Sequence, residues 1–181
     1  MKELNIFEAT ALTSPNPLTL ICSENEDGTT NLAPICFVSY LSFNPPMIGF
    51  ATGKQAHTGE RVRETGKVIV TVPGETLSQA VMSCGSSTGS KVNKATEYGI
   101  EMVDVENSSI KIPKDTKVAF VAALKETLEV GDHILHICNI EKILGDENKV
   151  GLFAWNGFEK LLRHRKNNRA KSRGDSNAAP L

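Results

Sequence analysis

Apolar positions along this chain recur with the period of strands more often than with that of helices. "PLTLICSE" (17–24) is an apolar run followed by the turn signal Asp27-Gly28. "TNLAPICFVSY" (30–40) then completes a hairpin pattern with a loop longer than two residues. Pro34 removes a ladder donor from the second run, so a bulge is expected there. "NPP" (44–46) halts the chain before a further apolar run, "MIGFAT" (47–52). "KVIVTVP" (67–73) is nearly all apolar, the pattern of a strand buried on both faces. Two long strands follow over 116–130 and 133–145, joined by a tight turn at Gly131-Asp132. A last hairpin, "KVGLFAWNGFEKLL", turns at Asn156-Gly157.

Helical punctuation occurs twice among these strands. "AHTGERVRETG" (56–66) offers Thr58 as N-cap and Gly66 as stop, and "ETLSQAVMSCG" (75–85) ends at Gly85. A small polar loop, "SSTGSKVNKATEYG" (86–99), leads into a short helical turn. The helices do not alternate regularly with the strands, so the pattern predicts a mainly β chain, a barrel with inserted short helices, over a doubly wound α/β sheet.

Composition refines this picture at a few points. With 181 residues, 40% hydrophobic and 23% charged, the chain reads as one globular domain. It shows neither a membrane-length apolar run nor the apolar core of a secretory signal, which gives a cytoplasmic expectation with no membrane partner. Cys22, Cys36, Cys84 and Cys138 are widely spaced, which suits buried thiols better than disulfides or metal pairs. The net charge of −1 conceals an asymmetry. Residues 1–159 hold 13 Lys and Arg against 20 Asp and Glu, whereas residues 160–181 hold 7 against 1. The reading is therefore a folded domain over 1–162 and a basic, disordered tail over 163–181. A tail that is solvated or folds back on the acidic body is favoured over one that binds RNA or an acidic partner, and it lacks the aromatic residues on which single-stranded nucleic acid stacks.

Three stretches bear on chemistry. "GSSTGSK" (85–91) fails as a Walker A loop, because three residues separate its glycines and Ser90 precedes Lys91. It remains an amide-rich loop that, with Lys91 and Lys94, can hold an anion. Thr58 at a helix start suits a phosphate, since unpaired N–H groups and the helix dipole both favour negative charge. In "EVGDHILHICNIEKI" (129–143), His133 and His136 stand three apart in a strand and face opposite sides of the sheet. A shared metal is disfavoured on that ground; a structural role and a cofactor contact both stay open for His133. No hydrolase motif is present.

Taken in order, "NPLTLICSENEDGTTNLAPICFVSYLSFNPPMIGFA", "HTGERVRETGKVIVTVP", "SCGSSTGSKVNK" and "VGDHILHICNIEKI" resemble the flavin reductase-like, or flavoredoxin-like, family of FMN-binding split barrels. The resemblance covers residues from about 15 to 145. "SFNPPMIGF", the Thr58-to-Gly66 helix ending in Glu-Thr-Gly that leads to "VIVTVP", and Gly-Asp-His are its most specific elements. It implies FMN as cofactor, bordered by Asn31 and by Ala33, Pro34, Ile35, Cys36 and Phe37. Phe37 stands where the family often has Trp. Thr58 and Lys94 match positions near the phosphate, and His133 matches a flavin or nicotinamide contact and hence the catalytic position. Trp155 and Phe158 are implied to complete the pocket. Cys36 where Ser or Thr is common, and Ala95 where an aromatic is common, depart from the pattern.

The implied activity is a flavin oxidoreductase taking hydride from NADH or NADPH to FMN and onward to a second flavin or a redox-protein acceptor. The implied assembly is a homodimer. The alternatives are a non-enzymatic FMN-binding module, or binding of RNA or an acidic partner through the tail. No G-x-G-x-x-G segment indicates which nicotinamide is preferred.

Overall fold

In a computed structural model, which describes residues 1–163, seven strands form one antiparallel sheet. They are β1 (Thr19–Glu24), β2 (Thr30–Ile35), β3 (Val38–Phe43), β4 (Pro46–Gly53), β5 (Lys67–Pro73), β8 (Thr116–Val130) and β9 (His133–Gly145). Their order is β2-β1-β5-β8-β9-β4-β3. The two edge strands, β2 and β3, are separated in the chain by Cys36 and Phe37 alone. A sheet whose first and last strands are neighbours in sequence must curl until its edges approach. Ala51 N donates to Phe37 O at 2.8 Å, which carries the β3–β4 ladder one step into that two-residue link. The result is the split barrel expected from the sequence.

The pleat feeds two cores, because successive side chains leave a strand on opposite faces. Ile21, Ile48, Phe50, Val68, Val70, Phe120, Ala122 and Cys138 fill the inside of the curl. Leu20, Cys22, Leu32, Ile69 and Ala119 pack outward with Val81 and Cys84 of α3 (Ser78–Gly85) and with Ile100, Val105 and Ile110. β5 contributes to both, as its unbroken apolar run requires. The helix α2 (His57–Thr65) sends Val62 into the first of these cores, so it closes one end of the curl. Gly66 ends it at φ 70°, a left-handed conformation that favours glycine.

β8 and β9 pair along nearly their whole length and turn at Gly131 (φ 60°) and Asp132. The hairpin β10 (Leu152–Trp155) and β11 (Lys160–Arg163) turns through Asn156 and Gly157, both at positive φ. Short pieces complete the chain: α1 (Ile6–Leu12), α4 (Lys94–Glu97), β6 (Met102–Val103) and β7 (Ile112–Pro113). Among the described residues no helix is long and apolar enough to cross a membrane. Arg163 lies in β11 and pairs with Glu75 at 3.1 Å; the rest of the basic tail lies outside the described residues.

Two local expectations are corrected. Pro34 causes no bulge: the β1–β2 register runs without a shift from Thr19↔Ile35 to Glu24↔Thr30. β2 is a sheet edge, and an edge strand tolerates a residue that cannot donate. Nor does Thr58 cap α2. The N-cap is Ala56, which makes no side-chain cap, and Thr58 lies inside the first turn.

Candidate functional site

Of the expected site residues, Asn31, Ala33, Pro34 and Ile35 lie on β2, and Cys36 and Phe37 form the link that follows it. At one end, the Asn31 side chain is buried and its Nδ2 donates to Ser23 Oγ at 3.1 Å and to Thr58 Oγ1 at 2.8 Å. This bond explains why Thr58 is not a cap: its hydroxyl turns inward to accept from β2. Asn31 Oδ1 has no hydrogen-bond partner among the described residues. Gly89, in the loop between α3 and α4, lies so close that a β-carbon there would collide with that oxygen and come within 3.0 Å of His57 Cδ2. His57 Nε2 in turn meets Asn25 Oδ1 at 2.9 Å.

Further along β2, Pro34 faces Gly85 at the end of α3. A β-carbon on Gly85 would lie 3.3 Å from Pro34 Cγ and 3.0 Å from Phe158 Cε1, so Phe158 from the last hairpin closes against the same strand. Trp155 is exposed on β10. Cys36 is half-buried against the outer core, and burial pushes its thiol up to about 11, so it is protonated at neutral pH. Phe37 is exposed at the seam, its ring 5.2 Å from that of His133. His133 Nδ1 lies 2.7 Å from Asp132 Oδ1, which orients the imidazole and holds the Asp132 carboxyl below its usual range.

Lys94 lies on α4, its side chain turned towards the end of α3. Only 3% of it is exposed, and its Nζ donates to Cys84 O at 2.8 Å. No carboxylate pairs with it among the described residues. Burial lowers its pKa, because an ammonium taken out of water without a counter-charge is disfavoured. Ser87, between Lys94 and Gly85 in sequence, also carries a buried hydroxyl with no partner among the described residues.

The structure thus brings Asn31 and Thr58 into direct contact, sets Phe158 against Pro34, and pairs Phe37 with His133. Ser23, Ser87 and Gly89 were not singled out by sequence reasoning as site residues. The only signal was the run of small polar residues over 85–91, which gives no hint that Gly89 approaches Asn31.

His136 belongs elsewhere, buried beneath α2. Its ring stacks on Phe50 (centroids 4.9 Å, 5° between planes) and its Nε2 lies 3.3 Å from Gly59 O. Burial first, and Arg63 after it, hold this imidazole below the ordinary value of about 6.5. As pH falls through about 6.5 the unfolded chain takes up a proton that the folded chain refuses, so stability is lost until the lower folded pKa is reached. Between about pH 7 and about pH 5, the melting temperature of the wild type should fall more steeply than that of His136→Phe. Parallel pH slopes for the two proteins would contradict this assignment.

A family model described as flavin reductase like domain matches residues 12–162. An uncharacterised protein of Archaeoglobus fulgidus is 30% identical over 124 residues, which make up 67% of this chain and 69% of that protein. Two other curated relatives are matched over only 56% and 58% of their length. Among solved structures, the flavoredoxin of Methanosarcina acetivorans superposes with a TM-score of 0.77 at 22% identity, covering 100% of this chain and 96% of that one. The NADH:FAD oxidoreductase of Streptomyces globisporus superposes with a TM-score of 0.78 at 15% identity, covering 92% and 100%. At these identities the likeness to the solved structures is one of fold.

Proposed function

From the premise that this chain belongs to the flavin reductase-like family, we propose that it binds FMN along β2 and acts as a nicotinamide-dependent flavin oxidoreductase. The observation that carries the reading is Lys94, a buried ammonium with no carboxylate partner among the described residues. Such a group is costly unless an anion accompanies it, and a phosphate monoester supplies one. The unpartnered Asn31 Oδ1 and Ser87 Oγ fit the same ligand, since FMN carries both donors and acceptors.

Lys94, Thr58 and the start of α2 hold the phosphate, with Asn31 fixing the Thr58 hydroxyl. Ala33 to Phe37 border the ring, where an edge strand leaves backbone groups unpaired for hydrogen bonding. Pro34 and Phe158 supply an apolar wall. Phe37 and His133 flank the open end, where the nicotinamide approaches, and Asp132 keeps the His133 ring in place. When bound, FMN supplies two-electron hydride acceptance and onward electron delivery to a second flavin or a redox protein. The protein contributes placement and exclusion of water.

The same reading expects a homodimer: β3 is a sheet edge and leaves Tyr40, Leu41 and Phe43 exposed, Phe43 at 91%. A soluble monomer rarely leaves such a patch uncovered.

The hydride-transfer step is tested by adding NADH or NADPH anaerobically to FMN-loaded protein and following the visible flavin band. Bleaching within seconds supports the reductase. A band that persists with both nicotinamides overturns that activity and leaves an FMN-binding module.

A further inference from the structure

We infer that a buried polar seam formed by Gly59, Thr52, Arg63 and His136 positions the start of α2, and through it the phosphate end of the flavin site. The inference rests on the FMN reading above and names residues outside the ligand-contacting set.

Gly59 is buried on the face of α2 that meets β4 and β9. A β-carbon there would collide with Thr52 Oγ1 and lie 3.2 Å from both Arg63 Nη1 and His136 Cε1. The helix therefore approaches the sheet more closely at this point than a side chain at 59 permits. Three polar groups converge over that one Cα, from α2, β4 and β9. Thr52 Oγ1, Arg63 Nη1 and His136 Nδ1 are all buried without a hydrogen-bond partner among the described residues. Apolar residues of similar volume would fill this space at lower cost, since each unpaired buried polar atom is destabilising. A cluster that costs stability at one point of closest approach is better explained by what it positions than by packing.

What it positions is the preceding residue. Thr58 precedes Gly59 within the same helical turn, and its hydroxyl is already committed to Asn31 across the β2 seam. The His136 ring, held parallel to Phe50 and against Gly59 O, fixes the height of this turn above the sheet. A displacement of α2 at 59 is transmitted directly to Thr58 and its neighbouring backbone N–H groups. It reaches the ring-binding residues on β2 only weakly, because those are held by the β1 ladder.

The test compares FMN with riboflavin, which carries the same ring without the phosphate, for the wild type, Gly59→Ala and the double variant Thr52→Ala/Gly59→Ala. Affinities are measured by flavin fluorescence at a temperature where circular dichroism shows each protein folded. The expected result is a loss of about tenfold in FMN affinity for Gly59→Ala, with riboflavin affinity unchanged. Removing the atom that the new methyl would strike restores FMN binding in the double variant. If Gly59→Ala does not fold, a double variant that folds and binds FMN as the wild type does shows the same coupling. An equal loss for both ligands, no loss for either, or a double variant that stays defective or unfolded overturns the inference. A wild type that binds neither ligand overturns the FMN reading itself.

Discussion

Lys94→Met raises the FMN dissociation constant by roughly 30- to 150-fold while leaving riboflavin binding unchanged. A charge-assisted hydrogen bond from a buried ammonium to a phosphate is worth about 2–3 kcal/mol, and each 1.4 kcal/mol or so is tenfold in affinity. Methionine keeps the length and most of the volume of the lysine stem, so packing between α4 and β2 survives. The sign of the stability change separates this account from a structural role. A side chain 3% exposed that buries a charge without a carboxylate partner costs the unliganded protein free energy. The variant should therefore melt at the same temperature as the wild type or higher when no flavin is present. Calorimetric titration with FMN and a thermal melt of the ligand-free protein check the two halves. Undiminished FMN affinity removes Lys94 from the site. A large drop in melting temperature makes the Lys94–Cys84 hydrogen bond structural instead.

The largest stability effect is expected at Phe50. Its side chain is fully buried among Ile21, Ile48, Val62, Val70 and Phe120, and its ring stacks on His136 under α2. Phe50→Ala removes the apolar transfer energy of a whole ring and leaves a cavity that a curled sheet cannot collapse to fill, a loss of about 3–5 kcal/mol. Against a typical total of about 5–15 kcal/mol, that is a large share of the stability. Urea unfolding monitored by circular dichroism reads it. A loss below about 1 kcal/mol would mean that the inside of the curl repacks freely, contrary to the interlocked core described above.

How much of this was legible from residues alone depended on the range of the interaction that decides each feature. The β8–β9 hairpin was readable because Gly131 and Asp132 interrupt two long strand-like stretches, and the structure places the turn there. β5 was readable because only a strand covered on both faces carries "VIV" unbroken. The short helix α1 was not read, although Asn5 and Glu8 form a reciprocal capping box. Pro34 misled because its effect depends on whether the strand has one neighbour or two, which is settled by the sheet order. Thr58 misled for a related reason. A local rule assigns a hydroxyl at a helix start to capping, whereas here Asn31, 27 residues earlier, claims it. The residues of the candidate site came from the resemblance, but their contacts did not. The seam over Gly59 had no sequence signal at all: it exists because a helix and two strands meet where one residue lacks a side chain.

Flavin binding along β2 is tested most directly by an equilibrium titration of the purified chain with FMN, followed by quenching of flavin fluorescence. The prediction is saturable binding of one FMN per chain, tighter than riboflavin by the contribution of a phosphate contact and weakened by Lys94→Met. Absence of saturable binding, or equal affinity for FMN and riboflavin in both proteins, would contradict it and return Lys94, Thr58 and Asn31 to purely structural roles.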